Sequence, residues 1–291
     1  MKAMIMAAGL GTRLRPLTDD RPKALVEVCG RTLLEITLTR LRRVGIREVI
    51  VNVHHFADMV VDYLEAHEDF GMHVEISREE SLLDTGGGLK KAAWFFLENS
   101  PEKPVTIPKP YHSEQSGIGR SLGNASQSRN LLLDSARPNQ NSSNPEEPFL
   151  LHNVDVISTI DLERMLQFHC DQAALATLAV QNRPTSRYLL FDEQNQLCGR
   201  QTGRGQPPEM ARPCLRSQPL AFSGVHVISP RFLRMMTEEG AFSIIKSYLR
   251  LTGQGERICA FRADEYYWRD LGKPEGITKA AEDVKRGIVR L

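Results

Sequence analysis

Residues 2–23 read KAMIMAAGLGTRLRPLTDDRPK, and the fold class turns on them. The apolar run over residues 2–8 ends in a glycine loop, as a strand covered on both faces of a parallel sheet does. Gly9 and Gly11 have no Cβ, so the backbone N–H groups there can come close to an anion. Arg13 and Lys23 add positive charge suited to a triphosphate, and Thr12 adds a hydroxyl donor. Two common phosphate loops are excluded. The dinucleotide fingerprint G-x-G-x-x-G needs a third glycine where this chain has Leu14, and the G-K-S/T ending of the Walker loop is absent. A loop directly after a strand is where open α/β sheets place their ligands.

The pattern continues outward from this loop. Leu34, Leu38 and Leu41 recur at helical spacing and Gly45 closes that helix. Residues 48–53 (EVIVNV) predict a second strand, and Val60, Tyr63, Leu64 and His67 a second helix. Residues 73–77 alternate as a strand, 86–98 return to helix, and 149–156 (FLLHNVDV) predict another strand. In the second half, strands are predicted over 174–181, two within 187–198 about the turn 193–195, 224–229 and 256–262. Helices are predicted near 230–238, over 243–251, and over 274–286 behind Pro274. Strands alternating with helices argue for a βαβ series with helices on both faces of the sheet. Ser, Asn, Pro and Gly fill 22 of the 47 residues from 101 to 147. So polar a stretch cannot offset its ordering entropy, and it is expected to be a disordered insertion in a single domain over 1–291.

Composition narrows the function classes. Of the 291 residues, 37 are Lys or Arg and 36 Asp or Glu, so the net charge of +1 gives no global attraction to nucleic acid or a membrane surface. No apolar run approaches the ~18 residues that span a bilayer, and the run ending at Gly9 is too short for a secretory signal. The five cysteines are scattered with no C-x-x-C spacing, which excludes a disulfide framework and a zinc ribbon; a reducing, cytoplasmic setting is the expectation. His54-His55 lacks a third ligand at useful spacing, and no G-x-S-x-G elbow is present. Asp155 lies near the end of an apolar strand, where a charge is costly unless paired or metal-bound. Asp270 would be a second carboxylate brought in by folding, with Arg269 as its rival partner. Asp161 is instead the expected cap of the following helix. Asp84–Gly88 (DTGGG) predicts a tight turn. Either Glu79 or Glu80 could accept from the ring N–H of guanine or uracil, which cytosine and adenine lack.

The string 9–23, with 83–89 (LDTGGGL), 151–156 (LHNVDV), 222–230 (FSGVHVISP) and 268–275 (WRDLGKPE), resembles the sugar-1-phosphate nucleotidyltransferases, or NDP-sugar pyrophosphorylases. Within them the pattern looks closest to N-acetylmuramate 1-phosphate uridylyltransferases and mannose-1-phosphate guanylyltransferases. The resemblance implies an α/β, Rossmann-like three-layer αβα fold with a mixed, mostly parallel central sheet. It implies transfer of a nucleotidyl group from a nucleoside triphosphate, UTP or GTP, to a sugar 1-phosphate, with Mg²⁺ and release of pyrophosphate. It makes Arg13 and Lys23 the catalytic cations and Asp155 and Asp270 the metal ligands. Ala8, Gly9, Gly11, Thr12, Glu80, Thr85, Gly86 and Gly87 fall at nucleotide positions, and Ser223 and Gly224 near the sugar. Family members often carry glycine just before the metal aspartate, where this chain has Val154, a difference that bears on the nucleotide ribose. The family's Glu-Lys-Pro stretch, whose lysine grips the sugar phosphate, is absent; Arg183, Arg187 or Arg200 is the candidate substitute, and the sequence alone does not choose between them. No left-handed β-helix repeat follows. The alternative is a non-catalytic nucleotide-sugar sensor of the same fold, and the oligomeric state stays open.

Overall fold

The computed structural model describes residues 1–97, 146–203 and 206–291. Positions 101–145 of the expected insertion lie outside the described residues. At the centre, four strands run parallel in the order Phe149–Asn153, Lys2–Met6, Glu48–Val53, His73–Arg78. The long strand Gln218–Ile228 joins antiparallel beside Phe149–Asn153 and continues the sheet through Arg187–Phe191, Leu197–Thr202 and Glu209–Met210. It also pairs with Ala176–Gln181, which pairs in parallel with Ile258–Arg262. The α/β fold with a mixed sheet and parallel central strands is therefore as expected.

Alternating side chains explain why the strands read as unbroken apolar runs. Ala3 and Ile5 of the first strand enter one core cluster and Met4 and Met6 the other. The first cluster is covered by helices Leu33–Arg43, Ala57–Ala66, Leu162–Asp171 and Pro274–Lys285, the second by Asp84–Lys91 and Ile244–Gly253. Local signals set the ends of these helices. The Thr32 side chain accepts from Glu35 N at 3.0 Å. Gly45, at φ 82°, ends the same helix as Ile46 N donates to Leu41 O and Gly45 N to Arg42 O. Asp161 caps its helix through Arg164 N at 2.9 Å, as expected. Among the described residues no helix is long and apolar enough to cross a membrane.

Four boundaries differ most from expectation. The strand expected over 149–156 breaks after Asn153, because Val154 N donates to Met6 O and the chain turns. It resumes as Val156–Ser158 in a separate antiparallel pair with Trp268–Asp270. The helix expected over 86–98 starts at Asp84 and ends at Lys91, followed by a short 3₁₀ turn at Ala93–Phe95. The strand expected at 224–229 begins at Gln218, and the helix expected near 230–238 covers only Arg231–Arg234.

Candidate active site

The carboxyl ends of the parallel strands gather at one edge, and a buried amide ties three of them together. Asn52 Oδ1 accepts from Ala7 N at 2.7 Å and Ala8 N at 3.4 Å, while its Nδ2 donates to Glu79 Oε1 at 2.7 Å. The other Glu79 oxygen accepts from Leu83 N at 3.0 Å. Glu79 is thereby a structural carboxylate, and Glu80 beside it is exposed. Beyond Ala8 the glycine loop turns through Gly11, at φ 66°, whose carbonyl accepts from Leu14 N and Thr18 Oγ1. Among the described residues, no hydrogen bond uses the N–H groups of Gly9, Leu10 and Gly11. A run of free backbone donors on a loop is an anion cradle.

The acidic pair meets at this loop. Lys23 Nζ lies 2.8 Å from Asp155 Oδ2 and sits under Gly9, where a Cβ would be 3.5 Å from the ammonium. The strand pair Val156–Ser158 with Trp268–Asp270 sets Asp270 opposite Val156, and Leu271 N donates to Asp155 O at 2.8 Å. Gly272 N in turn donates to Asp270 Oδ1 at 2.8 Å. The hydrogen-for-side-chain position of Gly272 marks the convergence. A Cβ there would lie 2.8 Å from Arg13 Nη2, 2.9 Å from Asp270 Oδ1 and 3.2 Å from Asp155 Oδ2. The two carboxylates are thus no farther apart than the sum of the last two distances, although 115 positions separate them in sequence. Arg269 does not take Asp270 as its partner; it bonds Asp283 at 2.6 Å.

A half-buried cation holds the segment that carries Asp155. Arg40 donates from Nη1 to Ser158 Oγ at 2.7 Å and from Nη2 to Ile160 O at 2.5 Å, and Nη1 reaches His152 Nε2 at 3.2 Å. Burial lowers the Arg40 pKa to about 10. Burial and then the Arg40 charge push His152 down to about 3, so the ring is neutral. A guanidinium has no acceptor, so Nε2 accepts from Arg40 and Nδ1–H donates to Asn153 O at 2.8 Å. Val154 is buried in the first core cluster, which also takes in Ala7 and Leu14 on either side of the glycine loop.

The nucleotide and sugar candidates divide. Ala8, Gly9, Gly11 and Thr12 line the loop together with Arg13 and Lys23. Thr85, Gly86 and Gly87 do not form the expected tight turn open to a base; they start a helix docked on residues 240–244. Gly86 N and Gly87 N donate to Phe242 O, and Thr85 Oγ1 accepts from Ile244 N at 3.0 Å. A Cβ on Gly86 would fall 2.3 Å from the Phe242 ring, and one on Gly87 2.4 Å from Gly240 O. These glycines admit another chain segment. Ser223 and Gly224 sit where the strand Gln218–Ile228 bends, with Gly224 at φ 76° and the register shifting between Phe222 and His226. Sequence reasoning missed Asn52 and Arg40; a polar residue inside EVIVNV and an arginine amid a leucine stripe were the available signals. Among the described residues no group of three or more His, Cys, Asp or Glu is placed to hold a metal.

A family model for nucleotidyl transferases matches residues 2–109. The N-acetylmuramate alpha-1-phosphate uridylyltransferase of Caulobacter vibrioides is 53% identical over 93 residues, 31% of this chain and 38% of that protein. The mannose-1-phosphate guanylyltransferase catalytic subunit beta of Danio rerio is 26% identical over 277 residues, 94% of this chain and 62% of that protein. The chain therefore spans less than two thirds of the length of either relative. The solved structure of a UDP-glucose pyrophosphorylase complexed with UDP-glucose has a TM-score of 0.67 at 14% identity, over 98% of each chain. That likeness is one of fold. The nucleotidyl transferase model thus matches the N-terminal part of the chain, and the similarity to relatives such as the Danio rerio protein and the shared fold extend along nearly its whole length.

Proposed function

We propose that the chain transfers a nucleotidyl group from UTP or GTP to a sugar 1-phosphate, giving an NDP-sugar and pyrophosphate. The observation that carries this reading is the convergence of Arg13, Lys23, Asp155 and Asp270 about Gly272, beside a loop with free N–H groups. A phosphate oxygen of the sugar 1-phosphate forms a bond to the α-phosphorus. The bond from that phosphorus to the bridging oxygen breaks, and its electron pair leaves with pyrophosphate. Such chemistry needs position and charge rather than a protein nucleophile. The loop N–H groups and Thr12 hold the triphosphate, Arg13 stabilises the departing pyrophosphate, and Lys23 neutralises the phosphates nearest the reacting centre. Glu80 is the exposed carboxylate for a base with a ring N–H, which uracil and guanine share. Ser223 and Gly224 border the sugar.

Asp155 and Asp270 suit Mg²⁺. They offer hard oxygen donors, two carboxylates leave the remaining positions to substrate phosphates, and a cation, the Lys23 ammonium, already lies against Asp155. When bound, the ion would supply positive charge between the two substrate anions. The expected setting is the cytoplasm. The test is pyrophosphate release from four nucleoside triphosphates against a panel of hexose and amino-sugar 1-phosphates, with and without Mg²⁺. Mg²⁺-dependent release from a matched pair is expected. No release from any pair, with nucleotide binding intact, would overturn catalysis in favour of the sensor.

A further inference from the structure

The guanidinium of Arg183 lies over the indole of Trp268, 3.6 Å from the ring centroid. Its Nη2 donates to Phe222 O at 2.6 Å, and its Nε is buried with no hydrogen-bond partner among the described residues. Trp268 is itself fixed, its Nε1 donating to Ser223 O at 2.7 Å. Two further buried polar atoms without partners lie on neighbouring residues, Ser223 Oγ and Asn153 Oδ1. Both residues lie at the strand bend: Ser223 precedes Gly224, and a Cβ on Gly224 would be 3.1 Å from Asn153 Nδ2. A cation, a hydroxyl and a carbonyl oxygen are thus left unsatisfied on residues gathered about 222–224, where Arg183 bonds Phe222, Trp268 bonds Ser223 and Asn153 lies beside Gly224. Buried polar groups without partners are costly, and a ligand bearing an anion and hydroxyl groups would satisfy all three. The other two arginines raised as substitutes are placed differently. Arg200 is bound to Glu209 at 2.7 Å, and Arg187 is exposed.

We propose that Arg183, held flat on Trp268, grips the phosphate of the sugar 1-phosphate, and that Ser223 Oγ and Asn153 Oδ1 meet hydroxyl groups of its sugar. This rests on the transfer reading above and names the residue that receives the acceptor substrate. The planar fork stacks on the indole and presents Nε and an Nη together, so lysine is not an equivalent here.

The experiment compares wild type with R183M, R183K and S223A. N-acetylmuramate, glucose and mannose 1-phosphates serve as probes, and pyrophosphate release and ³¹P NMR line broadening of each probe as readouts. In R183M the KM for the sugar 1-phosphate should rise about ten- to hundredfold, the loss expected for a charge-assisted pair, with the KM for the nucleotide within about twofold. R183K should fall between, and S223A, whose hydroxyl has no partner inside the protein, should raise the same KM severalfold without shifting the melting midpoint. An unchanged sugar-phosphate KM in R183M and S223A, or an equal rise for the nucleotide, overturns the assignment while transfer stands. Broadening by wild type but not by R183M, without turnover of any pair, upholds Arg183 and overturns transfer. No broadening by wild type, with no turnover, overturns both.

Discussion

Gly272→Ala puts a methyl group at the point where Arg13, Asp270 and Asp155 converge. Its Cβ would sit 2.8 Å from Arg13 Nη2, 2.9 Å from Asp270 Oδ1 and 3.2 Å from Asp155 Oδ2, where ordinary contact starts at 3.4 Å. The φ of Gly272 lies outside the left-handed region, so alanine costs no backbone strain and the effect is one of space. Asp155 is pinned by Lys23 and buried, so Arg13 and Asp270 must give way by roughly half an ångström. A misplacement of about 1 Å in a catalytic group costs about 10² in rate, so kcat/KM should fall about ten- to hundredfold. Stability should change by less than about 1 kcal/mol, because the displaced atoms are side-chain ends on an open edge. The assay is pyrophosphate release with the matched substrate pair, beside a thermal melt. Activity within about twofold of wild type would refute the claim that these groups act at one point. Should the variant unfold, Arg13→Ala carries the same test. Arg13 is exposed and makes no ion pair among the described residues, and its truncation should cost on the order of 10²–10³ in rate with the melt unchanged.

Asn52→Ala should destabilise the fold by on the order of 2–4 kcal/mol in urea denaturation, since it strips the acceptor from Ala7 N and the donor from buried Glu79; a loss below about 1 kcal/mol would count against the amide tie. Acidification should also destabilise. Burial lowers His152 and His226 to about 3 and His169 to about 4, whereas the unfolded chain takes up these protons near 6.5. Their stability contribution is therefore complete above that pH and falls as pH drops toward 4. Glu238 acts in a lower window. Burial opposes its ionisation, but its pair with Arg250 holds it at about 2, so it contributes equally at pH 7.5 and 5.5. Unfolding free energy should drop between those two values by about 1.4 kcal/mol per histidine, about 4 kcal/mol in all, and a flat profile would show that the rings protonate in the folded state.

How much was legible depended on how local the cause was. EVIVNV was readable to both ends because it is buried on both faces, and the end of the helix Leu33–Arg43 because Gly45 marks it within the chain itself. The glycine loop was legible as a candidate anion cradle for the same reason. Val154 gave no sign of a turn, since an apolar residue continues the run; the break comes from pairing with Trp268–Asp270, more than a hundred residues on. The DTGGG string was misread because its glycines make room for Phe242 and Gly240, contacts that only folding creates. Arg269 beside Asp270 looked like its partner, yet adjacent strand residues point to opposite faces, and Arg269 reaches Asp283 instead. The choice among Arg183, Arg187 and Arg200 likewise needed the placement of Trp268.

The most direct measurement is the Mg²⁺-dependent turnover of Asp155→Asn, Asp270→Asn and the double variant under identical conditions. Two carboxylates that hold one cation should each cost on the order of 10²–10³ when neutralised, with the double variant no more than about threefold below the weaker single. Near wild-type turnover in either single variant, or losses that multiply in the double, would contradict the shared site.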